Sequence, residues 1–142
     1  MADVALIRKR LRTEIEQARR STAERRERAK AAARAYESFL EDIAIPTFRQ
    51  LATVLRAEGV PFDVQTPSGG VRLVSDRNRD EGIELELDNT QDPPQLMLTS
   101  MRTWGRRSLR SERAVKERTA IDHVTEDDLL EHLIAEVRPW LG

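Results

Sequence analysis

The sequence predicts an α+β protein: a long N-terminal helix, an antiparallel β-meander of about five strands, and a C-terminal helix. Three observations lead there. Residues 3–44 contain no Gly or Pro, residues 60–104 show short runs of alternating polarity, and a second helical pattern follows Thr125. The chain of 142 residues has room for one compact unit. We divide it into an N-terminal helical arm, residues 1–58, and a sheet with its C-terminal helix, residues 59–142.

The N-terminal helix is indicated by apolar residues spaced three or four apart. Its middle, Ser21 to Arg28, is almost wholly polar, so the helix there is either solvated and held by charge pairs or interrupted. Pro46 lacks an amide hydrogen and predicts a kink or a break. A second helical stretch, Phe48 to Leu55, follows it. The apolar positions that begin the long helix are Val4, Ile7, Leu11, Ile15 and Ala18.

The predicted helix is too long for the rest of the chain to cover. About 42 helical residues span roughly 63 Å, whereas the other residues, packed compactly, have a radius of gyration of about 12 Å. The helix therefore protrudes, folds back near residues 21–28, or is covered by another subunit. The mismatch favours self-association through Val4, Ile7, Leu11, Ile15 and Ala18, and a homodimer is the first expectation.

The middle of the chain is predicted to be β. Two runs, Val60–Gln65 and Val71–Ser75, flank a Pro-Ser-Gly-Gly turn, and Ile83 to Asp88 alternates apolar with acidic residues. Gln95–Trp104 is a further strand. Ser108–His123 has sparse apolar residues and forms either one strand or two.

The chain ends in a predicted helix. Thr125 followed three residues later by Asp128 resembles a capping box. The residues after it form one apolar face, comprising Leu129, Leu130, Leu133, Ile134 and Val137. This helix and the Phe48–Leu55 segment are the expected covers for one face of the sheet.

Charge and composition argue against several classes. The net charge is −1, so the whole molecule has no strong attraction to nucleic acid or anionic lipid. No Cys is present, which excludes disulfides and thiolate chemistry. The N-terminal apolar run is too short for a signal peptide, and no stretch approaches the roughly 20 apolar residues of a membrane span. We therefore expect a cytoplasmic protein that does not enter membranes.

No catalytic or metal-binding pattern stands out. His123 and His132 are nine apart, a spacing that matches no common metal motif. The acids Glu84, Glu86 and Asp88 are explained as the solvated face of a strand. The Ser68-Gly69-Gly70 turn has no following Lys and leads into a strand, so it is not a phosphate loop. We expect no enzyme activity, no cofactor and no metal.

The strongest binding candidate is an arginine-rich hairpin with one tryptophan. Guanidinium groups neutralise phosphates or carboxylates, and an exposed indole stacks on bases. Its residues are Arg102, Trp104, Arg106, Arg107, Arg110 and Arg113. In the plainer interpretation, Trp104 is a core or interface residue and the arginines pair with Glu84, Glu86 or the C-terminal helix.

The expected function is accordingly that of a non-enzymatic, self-associating adaptor or chaperone-like interaction protein, with an acidic protein as a possible partner. The alternative is a nucleic-acid-binding protein that uses the basic N-terminal helix and the Arg102–Arg113 hairpin. Residues 1–34 carry eleven Arg and Lys against five Asp and Glu, which is the feature that keeps this alternative open.

Overall fold

The N-terminal helix forms as predicted. The computed structural model describes residues 3–142 and contains helix α1, Val4–Phe39, a π-helical turn, Leu40–Ala44, and helix α2, Ile45–Ala57. The side chain of Asp3 caps α1 by accepting a hydrogen bond from the Ala5 amide at 3.0 Å. The polar stretch over residues 21–28 is continuous helix, so the alternative of an interruption there is wrong.

Pro46 does not break the helical path. The π turn comes immediately before it, and the Ile45 amide donates to the carbonyl of Leu40, five residues back. Pro46 itself lies in the first turn of α2, where a missing amide hydrogen costs least. The wider turn also makes room for a ring that would otherwise press on the preceding turn of an α-helix. The predicted irregularity is therefore present as a π turn, and the helix continues beyond it.

The sheet is an antiparallel meander of five strands in the order β1-β2-β3-β4-β5, as predicted. The stretch from 108 to 123 contributes one strand and then a 3₁₀ turn, Ile121–His123, because its apolar residues are too sparse to form a second strand. The strands are β1 Phe62–Gln65, β2 Gly70–Ser75, β3 Gly82–Asp88, β4 Gln95–Trp104 and β5 Arg107–Ala114.

The helices cover one face of this sheet. Strand pairing places Leu73 beside Ile83 and Leu85 beside Leu98 on that face, and all four side chains are buried. They share one core with residues of α1, α2 and the C-terminal helix α3, Glu126–Val137. The opposite face carries polar pairs, such as Arg72 beside Glu84, as expected of a two-layer α+β unit.

Helix α3 begins with the predicted capping box. The Thr125 side chain accepts from the Asp128 amide at 3.1 Å, and Asp128 accepts from the Thr125 amide at 3.0 Å. Of the predicted apolar face, Leu129, Leu133 and Val137 are buried, while Ile134 is about half exposed. Within residues 3–142, no helix has the length and apolar character needed to cross a membrane.

Candidate functional site

The first candidate surface is the outer segment of α1, which we define as Val4–Arg28. Every residue in it is exposed. The apolar side chains predicted for self-association, Val4, Ile7, Leu11, Ile15 and Ala18, all lie in this segment, and Leu11 is 57% exposed. None of them packs against the chain's own core. The helix therefore extends away from the globule with an apolar stripe in contact with water.

The stripe of the outer segment lies on the same side of α1 as the buried residues of its inner segment, Ala29–Phe39. At 100° per residue, the side chains of Leu11, Ala18 and Tyr36 project within about 20° of one another around the helix axis. Tyr36 and Phe39 are buried against the sheet. The apolar face that packs against the sheet in the inner segment thus runs on into the outer segment. There, no other part of the described residues covers it.

The junction between the two segments is fixed by an ion pair to the β3–β4 loop. Arg28 donates from Nε and Nη2 to the two carboxylate oxygens of Asp92, at 2.8 and 2.7 Å. The hydrogen bond from Arg28 and the nearby charges of Arg28 and Arg25 lower the pKa of Asp92. This bidentate pair holds the base of the outer segment in one direction.

A second contact orients the inner segment. The Tyr36 hydroxyl donates to the Gly69 carbonyl in the β1–β2 turn at 2.6 Å. Burial, followed by the charges of Glu86 and Glu84, raises the pKa of Tyr36 to about 12. The hydroxyl therefore stays protonated and keeps donating across the physiological pH range.

The outer segment is strongly basic. It contains nine Arg and Lys residues, and Arg25 and Arg28 pair with Asp92. The other seven form no ion pair within residues 3–142: Arg8, Lys9, Arg10, Arg12, Arg19, Arg20 and Arg26. The apolar stripe is therefore bordered by unneutralised positive charge, which attracts negatively charged groups.

The second candidate surface is the β4–β5 hairpin, where Trp104 is 73% exposed. Of the two places that the plainer interpretation gave Trp104, the core is therefore wrong, and an interface stays a prediction. Trp104 lies directly opposite Arg107 across the strands, next to the turn at Gly105-Arg106. We call Trp104–Arg107 the hairpin tip.

The six predicted hairpin residues do not form one cluster. Arg102 is turned inward with its guanidinium carbon 5.3 Å from the centre of the Trp140 ring. Arg110 lies on the other face of the sheet and pairs with Glu112 at 2.9 Å. Arg113 reaches Glu136 of α3 at 3.8 Å. Three residues of the candidate site remain together: Trp104, Arg106 and Arg107. The guanidinium groups of the two arginines form no ion pair within the described residues.

The predicted cross-strand pairing of these arginines with Glu84 and Glu86 is wrong. Glu84 pairs with Arg72 of β2 at 3.1 Å, because that residue stands directly beside it in the sheet. Glu86 lies beside Gly70 and Met97. Of the six hairpin residues, Arg113 alone forms the expected ion pair with the C-terminal helix in the described structure, and its partner there is Glu136.

Trp140 and Glu81 form a lock between the C-terminal end and the sheet, which the sequence did not suggest. The Trp140 Nε1 donates to Glu81 at 3.2 Å, and its ring meets Phe62 edge-on with centroids 5.6 Å apart. The hydrogen bond from the Thr103 amide, at 2.8 Å, is the main cause of the lowered pKa of Glu81. This network is structural, since its partners are satisfied within the fold.

The side chains considered for catalysis are not assembled into a reactive group in the described part of the chain. One cavity of about 840 Å³ is lined by His132 together with Asp92 and Glu112. Asp92 is bound to Arg28 and Glu112 to Arg110, and no hydrogen bond joins His132 to either carboxylate. Within residues 3–142, no group of three or more His, Asp or Glu side chains is placed to hold a metal ion.

Sequence reasoning also missed a groove beside the inner segment. Two adjoining cavities of about 320 and 290 Å³ run along α1, sharing Ala35, Ile121 and Asp122. Small residues on α1 create the space, and Ala31 to Ala33 with Ala35 was the signal in the sequence. The opposite wall is formed by Pro93, Pro94, Ala120, Ile121 and Val124.

Comparison with known proteins gives no relative for this chain: no family model matches it, and no match was found among curated proteins or solved structures.

Proposed function

We propose that this protein is a non-enzymatic, self-associating interaction protein and that the outer segment of α1 is its association surface. The observation that supports this proposal is the apolar stripe at Val4, Ile7, Leu11, Ile15 and Ala18. It continues the buried face of the same helix and is exposed along its whole length. Contiguous apolar surface of this kind, bordered by charges, is typical of protein–protein contact sites.

The energetic case follows from burial. Fully burying a Val, Leu or Ile side chain contributes about 1.5 to 3 kcal/mol. The four side chains Val4, Ile7, Leu11 and Ile15 are on average about half exposed. Burying them in each of two copies therefore contributes about 6 to 13 kcal/mol, which is comparable with an association cost of about 4 to 15 kcal/mol. A monomer gains none of this energy, because in the single chain these side chains stay exposed and lie outside the core.

The test is light scattering coupled to size exclusion, at low and at high salt. We expect twice the monomer mass of 16.3 kDa, persisting at high salt because apolar burial is not screened. The double variant Leu11→Glu, Ile15→Glu should be monomeric. The matched control, Thr13→Glu with Arg20→Glu, places charges on the opposite side of the helix and should remain dimeric. A monomeric wild-type chain at high micromolar concentration overturns the proposal.

A second candidate function, nucleic-acid binding, is supported by the hairpin tip. Trp104 is 73% exposed beside Arg107, and Arg106 follows in the turn. An exposed indole next to unneutralised guanidinium groups resembles the stacking platforms used for single strands. The basic residues of the outer segment would add phosphate contacts.

This candidate is tested by measuring fluorescence anisotropy of a labelled single-stranded oligonucleotide and a labelled duplex over a salt series. Binding that weakens steeply with salt, and that is lost in the variant Trp104→Ala, Arg107→Glu, would support it. The matched control Arg110→Glu changes a charge on the opposite face of the same strand. No binding even at low salt removes the candidate.

A further inference from the structure

The groove beside the inner segment of α1 raises the question of what fills it. It is lined mainly by apolar atoms, with Ala32, Ala35 and Phe39 on one wall and Pro94 and Ile121 on the other. Its two parts share Ala35, Ile121 and Asp122 and lie next to each other along α1. The near end of the groove is at Arg28, the last residue of the outer segment. The far end is bordered by the carboxylate of Asp42, and the carboxylate of Asp122 lies where the two parts meet.

The groove lies on a heptad seam that begins at the tip of the outer segment. Two rows of positions seven residues apart run along α1 and into the π turn, and the positions near both ends of α1 are apolar, which is typical of helix-pairing positions. Groove-lining residues occupy the last positions of both rows. The rows are Val4, Leu11, Ala18, Arg25, Ala32 and Phe39, and Ile7, Glu14, Ser21, Arg28, Ala35 and Asp42.

The two ends of this seam are complementary in size. The tip presents large side chains, Val4, Ile7 and Leu11, all at least half exposed. The groove end presents small side chains, Ala32 and Ala35, which leave the cavities open. Large side chains fill cavities lined by small ones, and close packing of this kind is what stabilises a helix pair. The tip of one copy therefore fits the groove of another.

Charge selects the antiparallel orientation. In a parallel in-register pair, each seam residue meets its own copy, so Glu14 meets Glu14, Arg25 meets Arg25 and Arg28 meets Arg28. Such like-charge contacts oppose association. In an antiparallel pair these like-charge contacts are absent, and Arg8 of the tip instead comes within about one helical turn of Asp42 at the far end of the groove.

We propose that the outer segment of a second copy lies antiparallel along α1 and fills this groove, so that each copy inserts its tip into the other. In the register that places Leu11 at Ala35, which lines both cavities, Ile7 meets Phe39, and Glu14 meets Ala32 at the end of the groove next to Arg28. The polar stretch over residues 21–28 then lies at the twofold axis. This inference rests on the proposed self-association and names the surface that receives the outer segment.

The absence of cysteine from the chain makes disulfide cross-linking a direct test. Two full-length single variants, Leu11→Cys and Ala35→Cys, are oxidised separately and as a mixture. Both substitutions are small changes at sites where the fold tolerates them, since Leu11 is exposed and Ala35 is partly buried. We expect about half of an equimolar mixture, which is the share of heterodimers under random pairing, to become a cross-linked dimer, and little of either variant alone. The double variant should form a dimer closed by two disulfides.

The other outcomes separate failure of this inference from failure of the proposed function. Efficient cross-linking of Leu11→Cys by itself would show a parallel pair and overturn the antiparallel arrangement while keeping self-association. A dimer mass in scattering, without cross-linking in any sample, would place the outer segment on another surface and also overturn it. A monomer mass for these variants and for the wild type would overturn both proposals together.

Discussion

The inner and outer segments of α1 have the same helical pattern, yet one is packed and the other is exposed. The inner segment buries Tyr36 and Phe39 against the sheet, whereas Leu11 and Ile15 of the outer segment contact no part of the core. Helix propensity is high in both, because the outer segment is rich in Arg and Glu and the inner segment is rich in Ala. The comparison teaches that a periodic apolar stripe identifies a surface that is suited to burial, while the tertiary structure decides which part of it is buried within one chain.

The largest effect expected from this contrast comes from truncating one side chain in each segment. Phe39→Ala should lower the free energy of unfolding by about 3 to 5 kcal/mol, because it leaves a cavity in the core. Leu11→Ala should change it by less than about 0.5 kcal/mol when the chain is dilute enough to be monomeric. Urea titrations at two protein concentrations measure both. A large loss for dilute Leu11→Ala would mean that the outer segment already packs within its own chain.

The same contrast shows how far the sequence could lead. Spacing alone located α1, the five strands and the capping box at Thr125, because each follows from local periodicity or turn chemistry. It could not place Trp104, which stands between Thr103 and Gly105, or Trp140, which follows Pro139 near the end of the chain. Their exposure depends on which strand or helix lies above them, and that is a non-local property. The groove beside Ala35 was hidden for the same reason, since its other wall is contributed by residues about 60 to 90 positions away.

The two tryptophans allow a second comparison of a packed side chain with an exposed one, and its expected effect is smaller. Trp140→Ala removes the edge-on contact with Phe62, the hydrogen bond to Glu81 and the contact with Arg102. Since Trp140 is partly exposed, we expect a loss of about 2 to 4 kcal/mol in the free energy of unfolding. Trp104→Ala serves as the matched control and should cost less than about 0.5 kcal/mol. Equal losses for the two variants would contradict the assignment of Trp140 as a structural lock.

The Glu81 lock should also make stability depend on pH. Hydrogen bonds from Thr103 and Trp140 lower the pKa of Glu81 in the folded chain from its ordinary value of 4.5. A carboxyl with a depressed folded pKa stabilises the fold above its unfolded pKa, and this stabilisation is lost as pH falls through the folded value. Wild type should therefore be more stable than Glu81→Gln by the greatest amount at pH 7. This difference in the free energy of unfolding should shrink below about pH 4.5. Thermal denaturation of both proteins between pH 7 and pH 3 measures it, and a difference that stays constant over this range would exclude Glu81 as the titrating group.

The smallest effect is expected at the junction of the two segments, where Arg28 binds Asp92. Asp92→Asn removes the charge that accepts both hydrogen bonds from Arg28, so the base of the outer segment loses its attachment to the β3–β4 loop. The pair is exposed to solvent, and global stability should hardly change. Amide hydrogen exchange of residues 25–32 should become faster, because local opening no longer has to break the ion pair.

The matched control is Glu27→Gln, which removes the 3.6 Å contact with Lys30 on the same stretch of helix and leaves the loop attachment intact. If exchange accelerates equally in both variants, the attachment to Asp92 does not fix the outer segment. If it accelerates in Asp92→Asn alone, the direction in which the outer segment leaves the globule is set by this ion pair.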